Sequence, residues 1–373
     1  MADILLVSKP VVPPWNDSSK NLVRDLATAL SGHRALVFGR PDVPVELGDA
    51  LVEPVYGPSA DAARGFSPAL TDNLRVLRRL MLGRGVPLWH FFFAPNPRTS
   101  SVARVAVAAR RVKSVQTVCS VPRDDVVPQR VLFGDRIVVL SRHTEARFMD
   151  AGIDASRLRR IPPAIAPLDV AAIDVAAERQ RFSVPADAPL IVYPGDLEFG
   201  GGAGRALELL QDLPQALDAW LLLACRAKTP SALGHEQALR ARVESMGLSA
   251  RVRFVGETGH IHGLLAAADL VVLPSETLYA KMDLPLVLIE AMALGRSTIV
   301  AAETPAAELA DGDASVSAPL QRDALSAAAA RLLQSTSERE ALGQRAVHAV
   351  RQRYHPDAMA AAYSAVYDEL LPG

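Results

Sequence analysis

Apolar residues along the chain gather into short unbroken runs, and between these runs apolar positions recur at helical spacing. Short apolar runs bounded by loops are typical of strands buried in a parallel sheet, and the helical spacing indicates helices that cover such a sheet. The pattern therefore predicts an α/β protein in which strands and helices alternate. The predicted strands cover residues 4–7, 35–38, 88–93, 114–118 and 136–140 in the first half, and 190–193, 221–224, 252–255, 270–273 and 298–301 in the second.

The alternation stops between residues 168 and 181, where Ala, Asp and Arg predominate and prolines flank the stretch. We place a domain boundary there. The resulting prediction is two Rossmann-like, doubly wound domains that face each other across a cleft. Residues 1–167 form the first domain, 168–188 a linker and 189–355 the second domain. The last helix, 356–371, has one apolar face and is expected to pack back on the first domain.

Composition and charge narrow the class of protein. The chain has 373 residues, half of them apolar, which is enough to bury a sizeable core and excludes a disordered chain or a miniprotein. Lys and Arg (40) nearly balance Asp and Glu (41), which argues against a nucleic-acid partner, although the first 175 residues hold 23 basic and 17 acidic side chains. Two cysteines, no secretory signal and no apolar run of spanning length predict a reduced, cytoplasmic location.

In open α/β sheets, ligands bind in the loops that follow the strands. The first of these loops, residues 9–19, lacks the G-x-G-x-x-G motif of dinucleotide-binding proteins. The loop after the sixth predicted strand carries Gly200, Gly201, Gly202 and Gly204, but their spacing also fails this motif. Two interpretations stay open: a loop that lets a phosphate approach the following helix, or a flexible turn.

Residues 269–309 show the most informative pattern in the chain. A strand is followed by a loop, by a helix over residues 285–294 and by a second strand. Proline near the start of this helix and Gly295 just past its end are the punctuation expected for a helix.

The start of this helix is a candidate site for a diphosphate. It exposes unpaired backbone N–H groups near Leu284, Leu286 and Val287, and the helix dipole adds about half a positive charge. Glu290 lies one turn further, where its carboxylate can accept two hydrogen bonds from a ribose diol. The alternative is a glutamate that caps a neighbouring helix or pairs with an arginine.

This segment resembles a known signature. Pro274-Ser275 after an apolar strand, followed by residues 286–295 and another apolar strand, is similar to the donor site of retaining glycosyltransferases of family four, which have the GT-B fold. The resemblance implies a nucleoside-diphosphate sugar in the second domain, an acceptor hydroxyl in the first, reaction in the cleft between them, and no cofactor beyond the donor. It also implies that the departing phosphate helps to deprotonate the acceptor. Further similarity lies at Ser141-Arg142, residues 161–163, Val255-Gly256, Ala268-Asp269 and residues 305–309.

Two departures from the family pattern affect the predicted donor site. Met282, with Asp283 next to it, stands where the family usually has a glutamate that contacts the donor sugar. The loop at residues 195–201 lacks the Arg and Lys that usually bind the diphosphate, so other cations have to replace them. The candidate cations are Arg226, Lys228 and Lys281, and the predicted catalytic residues are Asp283 and Lys281. The predicted donor-binding residues are Gly201, Gly202, Arg226, Lys228, Gly256, Glu257, Thr258, Ser275, Leu284, Leu286, Val287 and Glu290.

The acceptor site is predicted in the loops of the first domain. Asp17-Ser18 occupies the place of a Gly-Gly pair usual in the family, and Cys119 the place of a common histidine. His90 has two interpretations, a core histidine or a contact with the acceptor. The predicted acceptor-binding residues are Trp15, Asp17, Ser18, His90, Phe92, Asn96, Cys119 and Arg123.

No metal site is predicted. Asp311-Gly312-Asp313 has the spacing of a metal-binding carboxylate pair, but its composition is typical of a surface turn. His260 and His262 lie two positions apart, so on a helix their side chains would point in different directions. We therefore expect activity that is independent of metal ions.

The partners and the activity leave alternatives open. Residues 74–84 combine four arginines with six apolar residues, which fits either an anionic membrane surface with a lipid-linked acceptor, or an ordinary covering helix with a soluble small-molecule or saccharide acceptor. The membrane interpretation places the protein peripherally at the inner face of the membrane. The predicted activity is that of a retaining glycosyltransferase of the hexosyltransferase type. The alternatives are a nucleotide-sugar epimerase or phosphorylase on the same scaffold, and a catalytically silent nucleotide-sugar-binding protein.

Overall fold

The computed structural model of the chain describes residues 1–58, 69–123, 125–227 and 229–371. The chain divides into two compact units. Each unit is built on one parallel sheet covered by helices, so the predicted α/β class with two Rossmann-like domains is confirmed. The first unit comprises Met1–Ala166, Tyr279–Asp283 and Arg353–Gly373, and the second comprises Pro167–Leu278 and Leu284–Gln352.

Seven strands form the sheet of the first unit. They are β1 (Asp3–Val7), β2 (Arg34–Phe38), β3 (Leu51–Glu53), β4 (Leu88–Phe92), β5 (Lys113–Val118), β6 (Arg136–Val139) and β7 (Leu158–Arg160). All neighbours are parallel, in the order β3-β2-β1-β4-β5-β6-β7. The helices of this unit are α1 (Ser18–Ala29), α2 (Leu70–Leu82), α3 (Pro97–Arg110), α4 (Pro128–Val131), α5 (Arg142–Asp150) and α13 (Pro356–Leu370).

Alternate residues of β4 face opposite sides of this sheet, as the pleat of a strand requires. Trp89 and Phe91 pack into an apolar cluster with residues of α2 and α3, and these two helices contact each other. His90 and Phe92 face the other side, where the ring centroid of Tyr363 on α13 lies 5.2 Å from that of His90. Helix α13 also contacts α1, so the C-terminal helix forms part of the first unit.

Six strands form the sheet of the second unit, again with all neighbours parallel. They are β8 (Leu190–Tyr193), β9 (Trp220–Leu223), β10 (Val252–Phe254), β11 (Leu270–Leu273), β12 (Ser297–Ala301) and β13 (Val316–Ala318), in the order β10-β9-β8-β11-β12-β13. The helices are α6 (Val175–Arg181), α7 (Gly202–Asp212), α8 (Ala232–Ser245), α9 (Ile261–Ala267), α10 (Leu286–Ala293), α11 (Arg322–Gln334) and α12 (Thr336–Arg353). Within the described parts of both units, no helix has the length and apolarity needed to cross a membrane.

The stretch expected as a linker, residues 168–188, contains helix α6 and belongs to the second unit. Asp174 caps this helix by accepting a hydrogen bond from the backbone N–H of Ala177 at 3.0 Å. Arg179 forms an ion pair with Asp269 at 2.9 Å, and α6 packs against α9. Capping and packing therefore order a segment whose composition alone suggested a connection.

Candidate donor and acceptor sites

The loops after β8 and β11 lie side by side in the second unit because these two strands are neighbours in the sheet. From β8 the chain continues to β9 on one side, and from β11 it continues to β12 on the other. A doubly wound sheet binds its ligand at such a switch point, outside the carboxyl ends of the strands. Six predicted donor residues lie in these loops or at the start of the helices that follow, namely Gly201, Gly202, Ser275, Leu284, Leu286 and Val287.

The glycines after β8 lie against the loop that follows β11. Gly200 and Gly201 have positive φ angles of 75° and 63°. A Cβ on Gly202 would lie 2.5 Å from Ser275 Oγ and 2.6 Å from Tyr193 Oη, closer than real contacts allow. Close packing therefore favours glycine at position 202, and both interpretations of this loop, a phosphate-binding loop or a flexible turn, stay open.

Carboxylates organise the loop after β8. Asp196 accepts hydrogen bonds from the backbone N–H groups of Glu198, at 2.9 Å, and Phe199, at 2.6 Å. Glu198 accepts hydrogen bonds from the backbone N–H of Thr229, at 3.0 Å, and from the hydroxyl of the same residue. This contact joins the loop after β9 to the loop after β8.

The other predicted donor residues follow β9 and β10. Arg226 is half-buried shortly after β9, whereas Lys228 lies outside the described residues. Gly256, with a φ of 70°, and Glu257 are exposed after β10. The Thr258 hydroxyl accepts a 3.0 Å hydrogen bond from the backbone N–H two residues further along. Arg226, Gly256, Glu257 and Thr258 follow the carboxyl ends of their strands, as predicted from the sequence.

Helix α10 begins directly after Pro285, which supplies no side-chain hydrogen bond to the first turn. Leu284 and Leu286 are buried and Val287 is half-buried. The first-turn N–H groups of an α-helix have no partner within the helix and carry a partial positive charge. The chemistry at this helix start therefore suits an anionic group.

Glu290 lies one turn inside α10, and its side chain is half-buried. Its Oε2 is 3.5 Å from Nε2 of His262 on α9, and the side chain is 14% exposed. His260 faces a different carboxylate, that of Glu178, at 3.4 Å. The two histidines therefore point apart, as expected from their spacing. Glu290 therefore lies beside a histidine, whereas the sequence left pairing with an arginine as one alternative.

Asp283 and Lys281 lie in the segment Tyr279–Asp283, which packs with the first unit. The Asp283 carboxylate is buried and accepts hydrogen bonds from the hydroxyls of Ser141, at 2.8 Å, and Thr144. Ser141 is the N-cap of α5, so the carboxylate lies at the positive end of that helix. Lys281 is half-buried. These contacts hold the Asp283 carboxylate at the start of α5, and its catalytic role stays a prediction.

Asp17 and Cys119 approach each other at the carboxyl edge of the first sheet. Asp17 accepts hydrogen bonds from two backbone N–H groups in the first turn of α1, and its Oδ2 lies 2.7 Å from Lys9 Nζ. Burial raises the pKa of the Cys119 thiol to about 12, and the charges of Asp17 and Asp283 contribute to the rise. A thiol with such a pKa stays protonated and is a poor nucleophile at neutral pH.

Four further predicted acceptor residues lie around the helix starts of the first unit. Trp15 is half-buried, and the Cζ atom of Arg24 lies 5.0 Å from its ring centroid. Ser18 is half-buried as the first residue of α1. Asn96 is exposed and caps α3 through a 3.0 Å hydrogen bond from the backbone of the first turn. Arg123 is exposed after β5.

His90 and Phe92 lie in the core, which corrects their prediction as acceptor-binding residues. His90 Nδ1 is 2.7 Å from the Tyr367 hydroxyl, and Nε2 is 2.7 Å from the Thr117 hydroxyl. The ring of Phe92 lies on the imidazole, with 3.9 Å between the centroids. Burial lowers the pKa of His90 well below its usual value of 6.5. Both ring nitrogens are satisfied internally, so the interpretation as a core histidine is the correct one.

Lys9 and Thr144 are not among the residues singled out from the sequence, and Ser141 is named there only as part of the family resemblance. Lys9 follows β1 by two positions, so its place just after a strand could have identified it as a candidate from the sequence. Ser141 and Thr144 are separated by three positions at a helix start, which is the spacing of a cap. Their bonds to Asp283 join positions 142 and 139 residues apart, and no local pattern indicates such a pairing.

The Asp311-Gly312-Asp313 triplet forms a turn after the 3-10 helix Pro305–Ala310. Asp313 has a φ of 54°, and its backbone N–H donates to the carbonyl oxygen of Ala310 at 3.0 Å. Among the residues that the structure describes, no group of three or more His, Cys, Asp or Glu side chains is placed to hold a metal ion. The triplet therefore has the geometry of a turn.

Part of the chain matches a known family in sequence, and the whole chain resembles solved structures in fold. Residues 174–348 match the family described as glycosyl transferases group 1. No curated protein matches the chain significantly in sequence.

Three solved structures illustrate the likeness of the whole fold. HepE of Anabaena, solved in complex with UDP and glucose, is 17% identical with a TM-score of 0.76, over 99% of this chain and 100% of that chain. A glycosyltransferase from Rickettsia africae is 16% identical with a TM-score of 0.77, over 100% and 99% of the two chains. Sucrose-phosphate synthase from Thermosynechococcus elongatus is 21% identical with a TM-score of 0.78, over 99% of each chain. The chain therefore has the GT-B fold, and its residues 174–348 match the model of the glycosyl transferases group 1.

Proposed function

We propose that this protein is a retaining glycosyltransferase that moves a sugar from a nucleoside-diphosphate sugar, held by the second unit, to an acceptor hydroxyl, held by the first. The observation that carries the proposal is the family match of residues 174–348, which includes both loops at the switch point of the second sheet. The half-buried Glu290 side chain one turn inside α10 supports a ribose contact there.

The departing nucleoside diphosphate needs stabilisation of the negative charge that develops on its leaving oxygen. In our proposal the N–H groups at the start of α10, near Leu284, Leu286 and Val287, supply part of it. Arg226 supplies a cation from the loop after β9. The departing phosphate accepts the proton of the acceptor hydroxyl on the same face of the sugar, so the anomeric configuration is retained.

Uridine nucleotides are the first donors to test, because structures of HepE contain UDP and UDP-glucose. A panel of nucleotide sugars, incubated with saccharide, small-molecule and lipid-linked acceptors, tests the proposal. Sugar transfer or slow donor hydrolysis supports a transferase. Epimerised donor without transfer, phosphate-dependent cleavage, or binding without turnover would instead support the epimerase, the phosphorylase or the silent binding protein.

Glu290→Gln is expected to weaken binding of the nucleoside diphosphate that the panel identifies by about 1 to 3 kcal/mol, because a charge-assisted hydrogen bond to the ribose is lost. Isothermal titration calorimetry measures the change. The matched control is Glu236→Gln, which removes an exposed carboxylate on α8 that pairs with Arg240 at 2.6 Å. Equal nucleotide affinity in wild type and a folded Glu290→Gln protein would remove Glu290 from the site.

Transfer is expected to continue in the presence of EDTA, because helix-start N–H groups and Arg226 take the place of a metal ion in our proposal. Initial rates with and without EDTA measure this directly. Loss of activity with the chelator, and its return on addition of Mg²⁺ or Mn²⁺, would contradict the assignment and direct attention back to Asp311 and Asp313.

A further inference from the structure

Helices α2 and α3 lie next to each other on one face of the sheet of the first unit. The inner sides of both helices pack on the sheet, so the helices cover it, which is one of the two alternatives that the sequence left open. The inward residues that pack with the apolar cluster are Val76, Leu77, Leu80 and Met81 of α2, and Ala103, Ala106 and Val107 of α3.

The outer sides of the same helices carry large exposed apolar side chains among polar and charged ones. Leu70, Leu74 and Leu82 are 74%, 56% and 78% exposed, and their spacing in multiples of four places them in one row along α2. Arg78, also exposed, occupies the position in this row between Leu74 and Leu82. Single exposed leucines are ordinary on protein surfaces, but a row of three on a helix whose opposite side is already packed is not required by the fold.

Helix α3 continues this apolar surface next to α2. Val102 and Val105 are 51% and 67% exposed, and Ala108 and Ala109 follow at the next turn, also exposed. We use the name α2–α3 surface for nine exposed residues of these helices. They are Leu70, Leu74, Arg78, Leu82, Arg98, Val102, Val105, Ala108 and Ala109.

Positive charge is concentrated on the same part of the chain. Residues 69–113 contain nine Lys and Arg and one acidic residue, Asp72, in a protein whose net charge is −1. Arg78, Arg84 and Arg98 are exposed, and Arg84 also pairs with Asp3 at 3.3 Å, whereas Arg75 and Arg79 form ion pairs with Asp72 and Glu53. The partner of this surface therefore carries negative charge and also accepts apolar side chains.

We propose that the α2–α3 surface binds the surface of an anionic lipid bilayer. Arginines interleaved with exposed leucines and valines match both parts of such a bilayer, its charged headgroups and the acyl chains just beneath them. A nucleic acid would use the arginines but would leave the apolar rows in water. This inference stands on the surface alone and holds whether or not the protein transfers a sugar.

Co-sedimentation of the full chain with vesicles tests the proposal. We expect binding to vesicles of equal parts phosphatidylglycerol and phosphatidylcholine at low salt, little binding to pure phosphatidylcholine, and weaker binding as salt rises. The double variant Leu74→Ser/Leu82→Ser and the single variant Arg78→Glu are each expected to weaken binding by about tenfold or more, because each removes one of the two contributions. All three positions are exposed, so the fold is retained, as circular dichroism can verify.

Leu233→Ser is the matched control, since Leu233 is 68% exposed on α8 of the second unit, and its removal should leave binding unchanged. The proposal is overturned if the wild type ignores anionic vesicles at low salt, or if the α2–α3 variants bind as tightly as the control. Binding to single-stranded RNA without binding to vesicles would also overturn it and would assign the basic surface to a nucleic acid.

Discussion

His90→Ala is expected to lower the free energy of unfolding at pH 7.5 by about 3 to 5 kcal/mol, the range for removal of a large buried side chain. The substitution opens a cavity beside Phe92 and removes a hydrogen-bond partner from the hydroxyls of Tyr367 and Thr117. A buried hydroxyl left without its partner adds to the cost. Urea unfolding monitored by tryptophan fluorescence measures the change, because Trp15 and Trp89 both lie in the first unit.

This cost is expected to shrink as the pH falls. Burial holds the pKa of His90 in the folded protein well below 6.5, so only the unfolded chain takes up a proton at this position just below pH 6.5. The wild type therefore loses stability as the pH falls below 6.5, by up to about 1.4 kcal/mol per pH unit, whereas His90→Ala has no such loss from this position.

The exposed His235 on α8 provides the control for this pH dependence, and His235→Ala should keep the acid loss of the wild type. A stability difference between His90→Ala and wild type that is the same at pH 7.5 and pH 5 would contradict a neutral, buried imidazole.

The central strands could be predicted from sequence because burial on both faces makes them continuous apolar runs. The strands absent from the prediction, β3, β7 and β13, lie at edges of the two sheets and have three residues each. Their sequences, LVE, LRR and VSA, are mixed because an edge strand is partly exposed and needs less apolar surface. Periodicity therefore identifies the buried strands but only one of the four edge strands, β10, which is also three residues long.

The strand-end loops of the candidate site could also be predicted, because topology alone places them at one edge of a parallel sheet. The hydrogen-bond partners of the side chains in and around these loops could not be predicted. His90 has the same local pattern whether its ring meets a ligand or the hydroxyl of Tyr367, which is 277 residues away along the chain. Burial of such a polar group depends on which helix returns to cover it, here α13, and that is a tertiary property.

The contacts of Asp283 could not be predicted from the sequence either, and their removal is expected to have the second large effect on stability. Asp283→Ala is expected to lower the free energy of unfolding by about 2 to 4 kcal/mol, because the buried carboxylate holds the hydroxyls of Ser141 and Thr144 at the start of α5. Hydrogen bonds to a charged group contribute about 1.5 to 3 kcal/mol each, and a carboxylate at a helix start also interacts favourably with the helix dipole. Thermal and urea unfolding measure the loss, and Asp187→Ala, at an exposed position, is the control with little effect.

A double-mutant cycle tests whether the hydrogen bond from Ser141 to Asp283 accounts for this loss of stability. Asp283→Ala and Ser141→Ala should lose less together than the sum of the single losses, with a coupling of about 1 to 3 kcal/mol, because each removes the same hydrogen bond. Additive losses would show that Asp283 and Ser141 do not stabilise each other.

The same two positions separate an anchoring role from a catalytic one once a donor is known. If Asp283 acts by holding the segment Tyr279–Asp283 in place before α10, Ser141→Ala and Asp283→Asn should both reduce kcat/KM, by similar factors, since each loosens the same anchor. If the carboxylate instead touches the substrate, Asp283→Asn alone should abolish turnover while Ser141→Ala, which keeps the carboxylate, retains most of it. The structure, in which the carboxylate is fully buried against α5, leads us to expect the first result.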